Sequence, residues 1–122
     1  MNKRRLQRLA TMLCEVPINK FNMDHWAKKQ NCGTTACALG YAGMFKPFRK
    51  AGLVTDFRDE QDGTVVFTDK RRNEVTYNGL AAQRFFDLSH EEVNEIFMPS
   101  LYDVVRITPK IVARRIRKML DR

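Results

Sequence analysis

Apolar residues recur at helical spacing at both ends of the chain. One face of a helix over residues 3–14 consists of Leu6, Leu9, Ala10 and Leu13, and basic and polar residues fill the other face. Near the C-terminus, Thr108 suits the cap of a helix and Pro109 suits its first position. The apolar arc of that helix consists of Val112, Ile116, Met119 and Leu120. Both ends therefore predict amphipathic helices.

The period of the pattern changes between residues 54 and 77. Residues 64–68 and 74–77 are rich in β-branched and aromatic side chains, and polar segments flank them. They predict a β-hairpin, with residues 54–57 as a candidate third strand. A two-stranded hairpin is marginally stable alone, so we expect it to lie against the helices.

Two more helices are predicted after the hairpin. Asn78 is a candidate cap for a helix that runs to about residue 87. Ser89 and Glu92 have the spacing of a capping box, and the helix that they begin should end before Pro99. The predicted fold is α+β: one helix-dominated domain over residues 1–122 with one small antiparallel β-hairpin.

The glycine-rich segment that begins at Gly33 predicts another helix start. Gly33 suits a tight turn, and Thr34 or Thr35 can cap a helix by accepting a hydrogen bond from a following amide. Gly40 and Gly43 then lie on a face of small residues. Each glycine inside a helix costs roughly 1 kcal/mol relative to alanine. We therefore expect another backbone or a ligand to approach this face closely.

An anion site at this helix start is the first functional hypothesis. The first amides of a helix lack partners within the helix, and its dipole favours negative charge there. The preceding segment, residues 24–29, is a candidate short helix or turn that brings basic side chains to the same place. The predicted ligand-binding residues are Thr34, Thr35, Lys28, Lys29 and His25.

The distribution of charge gives a second hypothesis. The chain carries +8 at pH 7, and its two ends hold the excess: +4 over residues 1–10, −2 over residues 11–105 and +6 over residues 106–122. Such basic surfaces favour nucleic acid, nucleotides or an acidic protein as partners. A solubilising polar face on two amphipathic helices explains the same charges. The candidate nucleic-acid-binding residues are Lys110, Arg114, Arg115, Arg117 and Lys118.

The three cysteines give an enzymatic alternative. Cys37 falls near the start of the predicted helix, where a thiolate is favoured, and His25 is a candidate base. The alternative function is therefore a cysteine-dependent hydrolase that uses Cys32 or Cys37 with His25. Against it, Cys37 shares a stripe with core residues, which is typical of a buried thiol. The loose cysteine spacing, without a second close pair, predicts no metal, and we expect no cofactor.

The cysteines and the apolar pattern also bear on the compartment. An odd number of cysteines at low density predicts reduced thiols and therefore a cytoplasm. No apolar run approaches the roughly 20 residues that span a bilayer, and we expect no membrane partner.

Five segments of the chain resemble a family of small phage and bacterial proteins of uncharacterised function. They are Phe-x-Met-x-x-Trp at 21–26, Cys-Gly-Thr-x-x-Cys-x-x-Gly at 32–40, Phe-Phe-Asp-Leu-Ser-x-Glu-Glu at 85–92, Phe-x-Pro-x-x-Tyr at 97–102 and Thr-Pro-x-x-Val-Ala-x-Arg-Ile at 108–116. The resemblance implies a phage or mobile-element setting, and hence a host-cell cytoplasm, but it supplies no catalytic residues. We therefore expect a non-enzymatic accessory protein that binds an anionic partner, with a homo-oligomer also open. Counteracting a host defence by sequestering that partner is the use that the resemblance suggests.

A local resemblance favours the enzymatic alternative. His25 and Trp26, followed by residues 30–37, are similar to part of the SUMO-protease type of cysteine peptidase, in which an aspartate-cysteine-glycine turn enters a helix. Here Asn31 stands where that turn has its aspartate. Only six residues separate His25 from Cys32, whereas the peptidase fold places further secondary structure between its histidine and cysteine.

Overall fold

The computed structural model describes residues 1–30, 33–58 and 61–122. Its helices are α1 (Lys3–Leu13), α2 (Ala38–Ala42), α3 (Lys46–Lys50), α4 (Asn78–Phe86), α5 (His90–Phe97) and α6 (Pro109–Leu120), with short 3-10 helices at Ile18–Lys20 and Pro99–Leu101. Its strands are β1 (Ala27–Gln30), β2 (Gly33–Ala36), β3 (Leu53–Asp56), β4 (Thr64–Asp69) and β5 (Glu74–Tyr77). No helix in these ranges is long and apolar enough to cross a membrane.

The strands form two antiparallel sheets within the described residues. β1 pairs with β2, and β4 lies between β3 and β5 in a three-stranded sheet. The predicted β4–β5 hairpin and its third strand are confirmed, but the prediction of a single small hairpin is wrong. The β1–β2 pair was not predicted from the sequence, because the threonines of β2 suit a helix cap as well as a strand. The fold is nevertheless α+β.

The helix start predicted at Thr34 and Thr35 is also wrong. Both threonines lie in β2, and α2 begins only after Cys37, whose sulfur accepts a hydrogen bond from the amide of Gly40 at 3.5 Å. Of the segment predicted as a short helix or turn, residues 24–26 form a turn, whereas residues 27–29 belong to β1. The amides of Thr34 and Thr35 therefore do not lie at the start of a helix. The unpaired amides and the helix dipole that suggested an anion site are not present at these residues.

The two terminal helices form as predicted and pack against each other. α1 buries Leu6, Leu9, Ala10 and Leu13. α6 buries Pro109, Val112, Ala113, Ile116 and Met119. The hydroxyl of Thr108 caps α6 by accepting a hydrogen bond from the amide of Ile111 at 3.3 Å. This pairing of apolar faces holds the chain's two ends together.

The predicted start of α5 is confirmed, whereas that of α4 is different. Ser89 Oγ accepts a hydrogen bond from the amide of Glu92 at 3.1 Å, and the Glu92 carboxylate accepts one from the amide of Ser89 at 2.9 Å. Asn78 does not cap α4, because it is the first helical residue. Its side-chain oxygen instead accepts a hydrogen bond from the amide of Val65 at 3.0 Å, which ties α4 to β4.

α2 lies close to two other backbones through its glycines. A Cβ atom at Gly40 would lie 1.8 Å from the carbonyl oxygen of Trp26, and one at Gly43 would lie 2.2 Å from Thr55 Oγ1. The Thr55 hydroxyl donates to the carbonyl of Gly40 at 2.7 Å, and the Thr55 amide donates to the carbonyl of Gly43 at 3.0 Å. The expected close approach is confirmed, and protein fills the contact.

The variant Gly40→Ala tests this contact. We expect it to lower the free energy of unfolding by about 1–3 kcal/mol, because the added methyl group overlaps the Trp26 carbonyl and the backbone must move. Urea unfolding followed by circular dichroism measures the loss.

Gly79→Ala is the matched control. Gly79 lies in the first turn of α4, and a Cβ atom there meets nothing within 4 Å. Alanine favours a helix, so this variant should keep the stability of the parent or gain up to about 1 kcal/mol. Equal urea midpoints for the two variants would contradict the role given to Gly40.

Candidate functional site

The predicted ligand-binding residues lie on and beside the β1–β2 hairpin, but on different faces of it. Lys28 stands opposite Thr35, and Lys29 stands opposite Thr34. Because successive side chains of a strand point to opposite faces, these two pairs are separated by the sheet. The hairpin therefore brings the residues near one another without forming one ligand site.

Three of the predicted residues contact other side chains of the fold. His25 Nε2 lies 3.0 Å from Thr35 Oγ1, within hydrogen-bond distance, and Thr35 is buried. Lys29 Nζ lies 4.8 Å from the centroid of the Phe57 ring, in the geometry of a cation–π contact. His25 is thereby held against β2, and Lys29 rests on a neighbouring aromatic side chain.

Cys37 is a buried thiol with structural partners. Its Sγ donates to the carbonyl of Trp26 at 3.6 Å and accepts from the amide of Gly40. Burial raises the pKa of the Cys37 thiol from 9.0 to about 11. These observations argue against Cys37 as a nucleophile, whereas Cys32 lies outside the described residues. Across the described ranges, no group of three or more His, Cys, Asp and Glu side chains is placed to hold a metal ion.

The basic residues predicted on α6 divide into two groups. Those exposed to solvent are Lys110, Arg114, Arg117 and Lys118. Arg115 instead donates from Nη1 to the carbonyls of Glu95 at 3.0 Å and Leu101 at 2.8 Å. Its guanidinium also lies 3.7 Å from the centroid of the Tyr102 ring. Arg115 therefore braces α6 against the end of α5 and the segment that follows it.

A second group of basic residues surrounds a cavity of about 470 Å³, which we call the basic cavity. The cavity lies where the start of α1, the end of α3, the β4–β5 turn and α4 meet. Its basic lining residues are Arg5, Lys50, Lys70, Arg71, Arg72 and Arg84. Among the described residues that line it, the single acidic one is Asp69. This arrangement makes the cavity strongly positive.

Two arginines of the basic cavity are fixed by the surrounding fold. Arg5 donates from Nη1 to the carbonyl of Phe85 at 2.8 Å, and its guanidinium lies 4.0 Å from the centroid of the Phe85 ring. Partial burial lowers the pKa of Arg5, although a guanidinium stays charged in proteins. Arg84 donates from Nε to the carboxylate of Glu74 at 2.9 Å. Both side chains are held in place before any ligand arrives.

Asp69 is occupied by the β4–β5 turn. Its Oδ1 accepts hydrogen bonds from the amides of Arg71 at 3.0 Å and Arg72 at 3.3 Å, and its Oδ2 lies 3.8 Å from Arg72 Nε. Within the part of the chain that the structure describes, Lys50, Lys70 and Arg71 form no ion pair. One carboxylate thus organises the turn and leaves most of the positive charge uncompensated.

The basic cavity did not emerge from the sequence. Its residues extend from Arg5 to Arg84, and all but Arg5 come from the interval 11–105, whose net charge is negative. The available signal was the run of three basic residues at 70–72, which also suits an ordinary polar turn between strands.

Thiol labelling tests the assignment of Cys37. In the variant Cys14→Ser with Cys32→Ser, Cys37 is the single thiol, and we expect the folded protein to react with iodoacetamide at least on the order of a hundredfold more slowly than the urea-unfolded protein at pH 8, because burial shields the Cys37 thiol from the reagent and also raises its pKa. The labelling rate should rise as the pH approaches 11. Mass spectrometry measures the extent of labelling.

Rapid labelling of folded Cys37 at neutral pH would reveal a reactive thiolate and restore the hydrolase alternative for this residue. The partner variant Cys32→Ser with Cys37→Ser retains exposed Cys14 and serves as the control. Its thiol should react at similar rates before and after unfolding.

Comparisons of the chain with protein-family models, with curated proteins and with solved structures found no match. No activity is therefore transferred from a relative. The functional assignment depends on the chemistry of the residues described above.

Proposed function

We propose that the chain is a non-enzymatic accessory protein that binds a phosphate-bearing partner, either a nucleotide-like ligand or nucleic acid. The observation that carries this proposal is the basic cavity, in which one carboxylate faces six basic side chains among the described residues. A cavity of this size falls within the usual range for small-molecule sites. Its charge favours an anion that carries several negative groups.

The arginines suit phosphate in particular. A guanidinium donates paired hydrogen bonds that match the geometry of phosphate oxygens. Arg5 is anchored on Phe85 and Arg84 on Glu74, so neither side chain must be ordered when a ligand binds. Lys50 and Arg71, which form no ion pair within the described residues, supply charge that a bound phosphate would neutralise.

Helix α1 connects this cavity with the basic face of α6. Asn2 and Arg5, at the start of α1, line the cavity, and the apolar face of α1 packs against α6. Arg4 and Arg8 are exposed on α1. A nucleic acid would therefore meet positive charge beyond the cavity, along α1 and the exposed residues of α6.

The biological use is part of the same proposal. The resemblance to small phage and bacterial proteins favours sequestration of a host nucleotide or nucleic acid as a way to counteract host defence. Tight binding without turnover would be sufficient for that role. The burial of Cys37 agrees with a binding protein, because it removes one of the two candidate nucleophiles.

The double variant Lys50→Ala with Arg71→Ala tests the cavity. We expect roughly tenfold weaker binding of inorganic triphosphate and of ATP, because two charge-assisted contacts are lost. Isothermal titration calorimetry measures both affinities. Binding of the parent protein should also weaken steeply with salt between about 50 and 200 mM.

Matched variants separate the two partner classes. Lys46→Ala with Arg106→Ala removes the same charge from exposed positions that do not line the cavity, and it should leave triphosphate binding unchanged. Lys110→Ala with Arg114→Ala should weaken binding of a labelled DNA duplex more than binding of triphosphate. Parent-like affinity of the cavity variant for triphosphate, ATP and duplex would refute the proposed function.

A further inference from the structure

A second cavity, of about 720 Å³, opens between the turn before β1 and helix α5, and we call it the Trp26 cleft. Its floor is apolar, because Met23, Val93 and Phe97 line it and are themselves buried. Trp26, which is half-buried, forms one wall. An apolar cavity of this volume with a few polar groups at its edge is typical of small-molecule sites.

The charged residues at the rim of the Trp26 cleft are acidic, whereas the chain as a whole carries a net positive charge. Its ionisable lining residues, among those described, are Asp24, His25 and Asp62, and no lysine or arginine lines it. Both aspartates are exposed at its rim, and neither forms an ion pair within the described ranges. In a chain of net charge +8, this cleft therefore has a local negative rim.

The wall that carries Trp26 is fixed by the rest of the fold. The carbonyl of Trp26 accepts a hydrogen bond from the amide of Cys37 at 3.2 Å and lies against Gly40. The neighbouring His25 contacts buried Thr35. These contacts hold the backbone of residues 25 and 26 in place. The indole of Trp26 is therefore attached to a rigid part of the fold, which favours a binding site.

We propose that the Trp26 cleft binds a small organic cation with an aromatic or apolar body. The apolar floor would take the body of the ligand, and the indole ring of Trp26 would attract its positive charge through a cation–π contact. Asp24 and Asp62 would favour the same charge at the rim. A neutral ligand would pack on the apolar floor but would gain no attraction from the rim carboxylates. Those carboxylates would repel an anion.

This site is separate from the basic cavity. The two cavities share no lining residue and select ligands of opposite charge. The inference therefore goes beyond the proposed function and does not rest on it. Loss of one binding activity should leave the other intact.

The chain provides its own reporter for this cleft. Trp26 is its single tryptophan, so a change of intrinsic fluorescence reports directly on the cleft. Three probes of similar size differ in charge: phenethylammonium, 2-phenylethanol and phenylacetate. We expect phenethylammonium to bind roughly tenfold tighter than phenylacetate, with 2-phenylethanol between them, because two rim carboxylates distinguish the charges.

Two variants identify the cause of that order. Asp24→Asn with Asp62→Asn should weaken phenethylammonium binding roughly fivefold and leave 2-phenylethanol binding unchanged. Asp103→Asn with Asp121→Asn, at two exposed carboxylates outside the cleft, is the control for the loss of two charges. Gly79→Leu should weaken all three probes, because position 79 lines the cleft and a Cβ atom there meets nothing within 4 Å.

Equal affinities for the three probes would overturn the proposal, as would unchanged phenethylammonium binding by the double aspartate variant. The absence of a saturable fluorescence change at millimolar phenethylammonium would also overturn it. Triphosphate binding by the double aspartate variant should match that of the parent. A failure of the basic cavity to bind phosphate therefore remains distinguishable from a failure of the Trp26 cleft.

Discussion

The contact between Gly40 and the carbonyl of Trp26 holds α2 close to the segment that leads into β1. That carbonyl accepts hydrogen bonds from the amide and the thiol of Cys37, so the start of α2 is fastened to the start of β1. Directly after α2, Gly43 lies against Thr55 of β3. Helix α2 is therefore held against the residue before β1, and the residue that follows α2 is held against β3. A side chain at either glycine would overlap a neighbouring atom, and this explains why glycine occupies position 40, inside a helix, although glycine is unfavourable there.

The same contacts position part of the surface. They hold the turn that carries Trp26, and this turn forms one wall of the Trp26 cleft. The basic cavity is assembled elsewhere, by packing the start of α1 against α4 and the β4–β5 turn. Arg5 helps to join α1 to α4, through its bond to the Phe85 carbonyl and its stacking on the Phe85 ring. The fold thus separates the basic cavity from the Trp26 cleft, and the two share no lining side chain.

Sequence patterns that involve only neighbouring residues predicted many of the helices and strands. The capping box at Ser89 and the Thr108–Pro109 start of α6 involve groups within a few residues of one another, so the sequence alone specifies them. The β1–β2 hairpin is different, because β1 includes two adjacent lysines and no β-branched residue. Its strand conformation is supported by pairing with β2 and by backbone contacts with residues 61–63. Such support comes from distant parts of the chain, and a propensity pattern does not contain it.

Sites are harder to predict than elements because charge acts through space rather than along the chain. Residues 11–105 have a net negative charge, yet they supply five of the six basic residues among the described lining of the basic cavity. Conversely, Arg115 belongs to the most basic segment of the sequence, but its guanidinium bonds one carbonyl in α5 and one in the segment after it. The net charge of a segment therefore gives no sign of the basic cavity, and it counts Arg115 as available to a partner when the fold already uses it. The electrostatic potential at a surface depends on which charged side chains the fold brings together and which of them already bond to other groups of the protein.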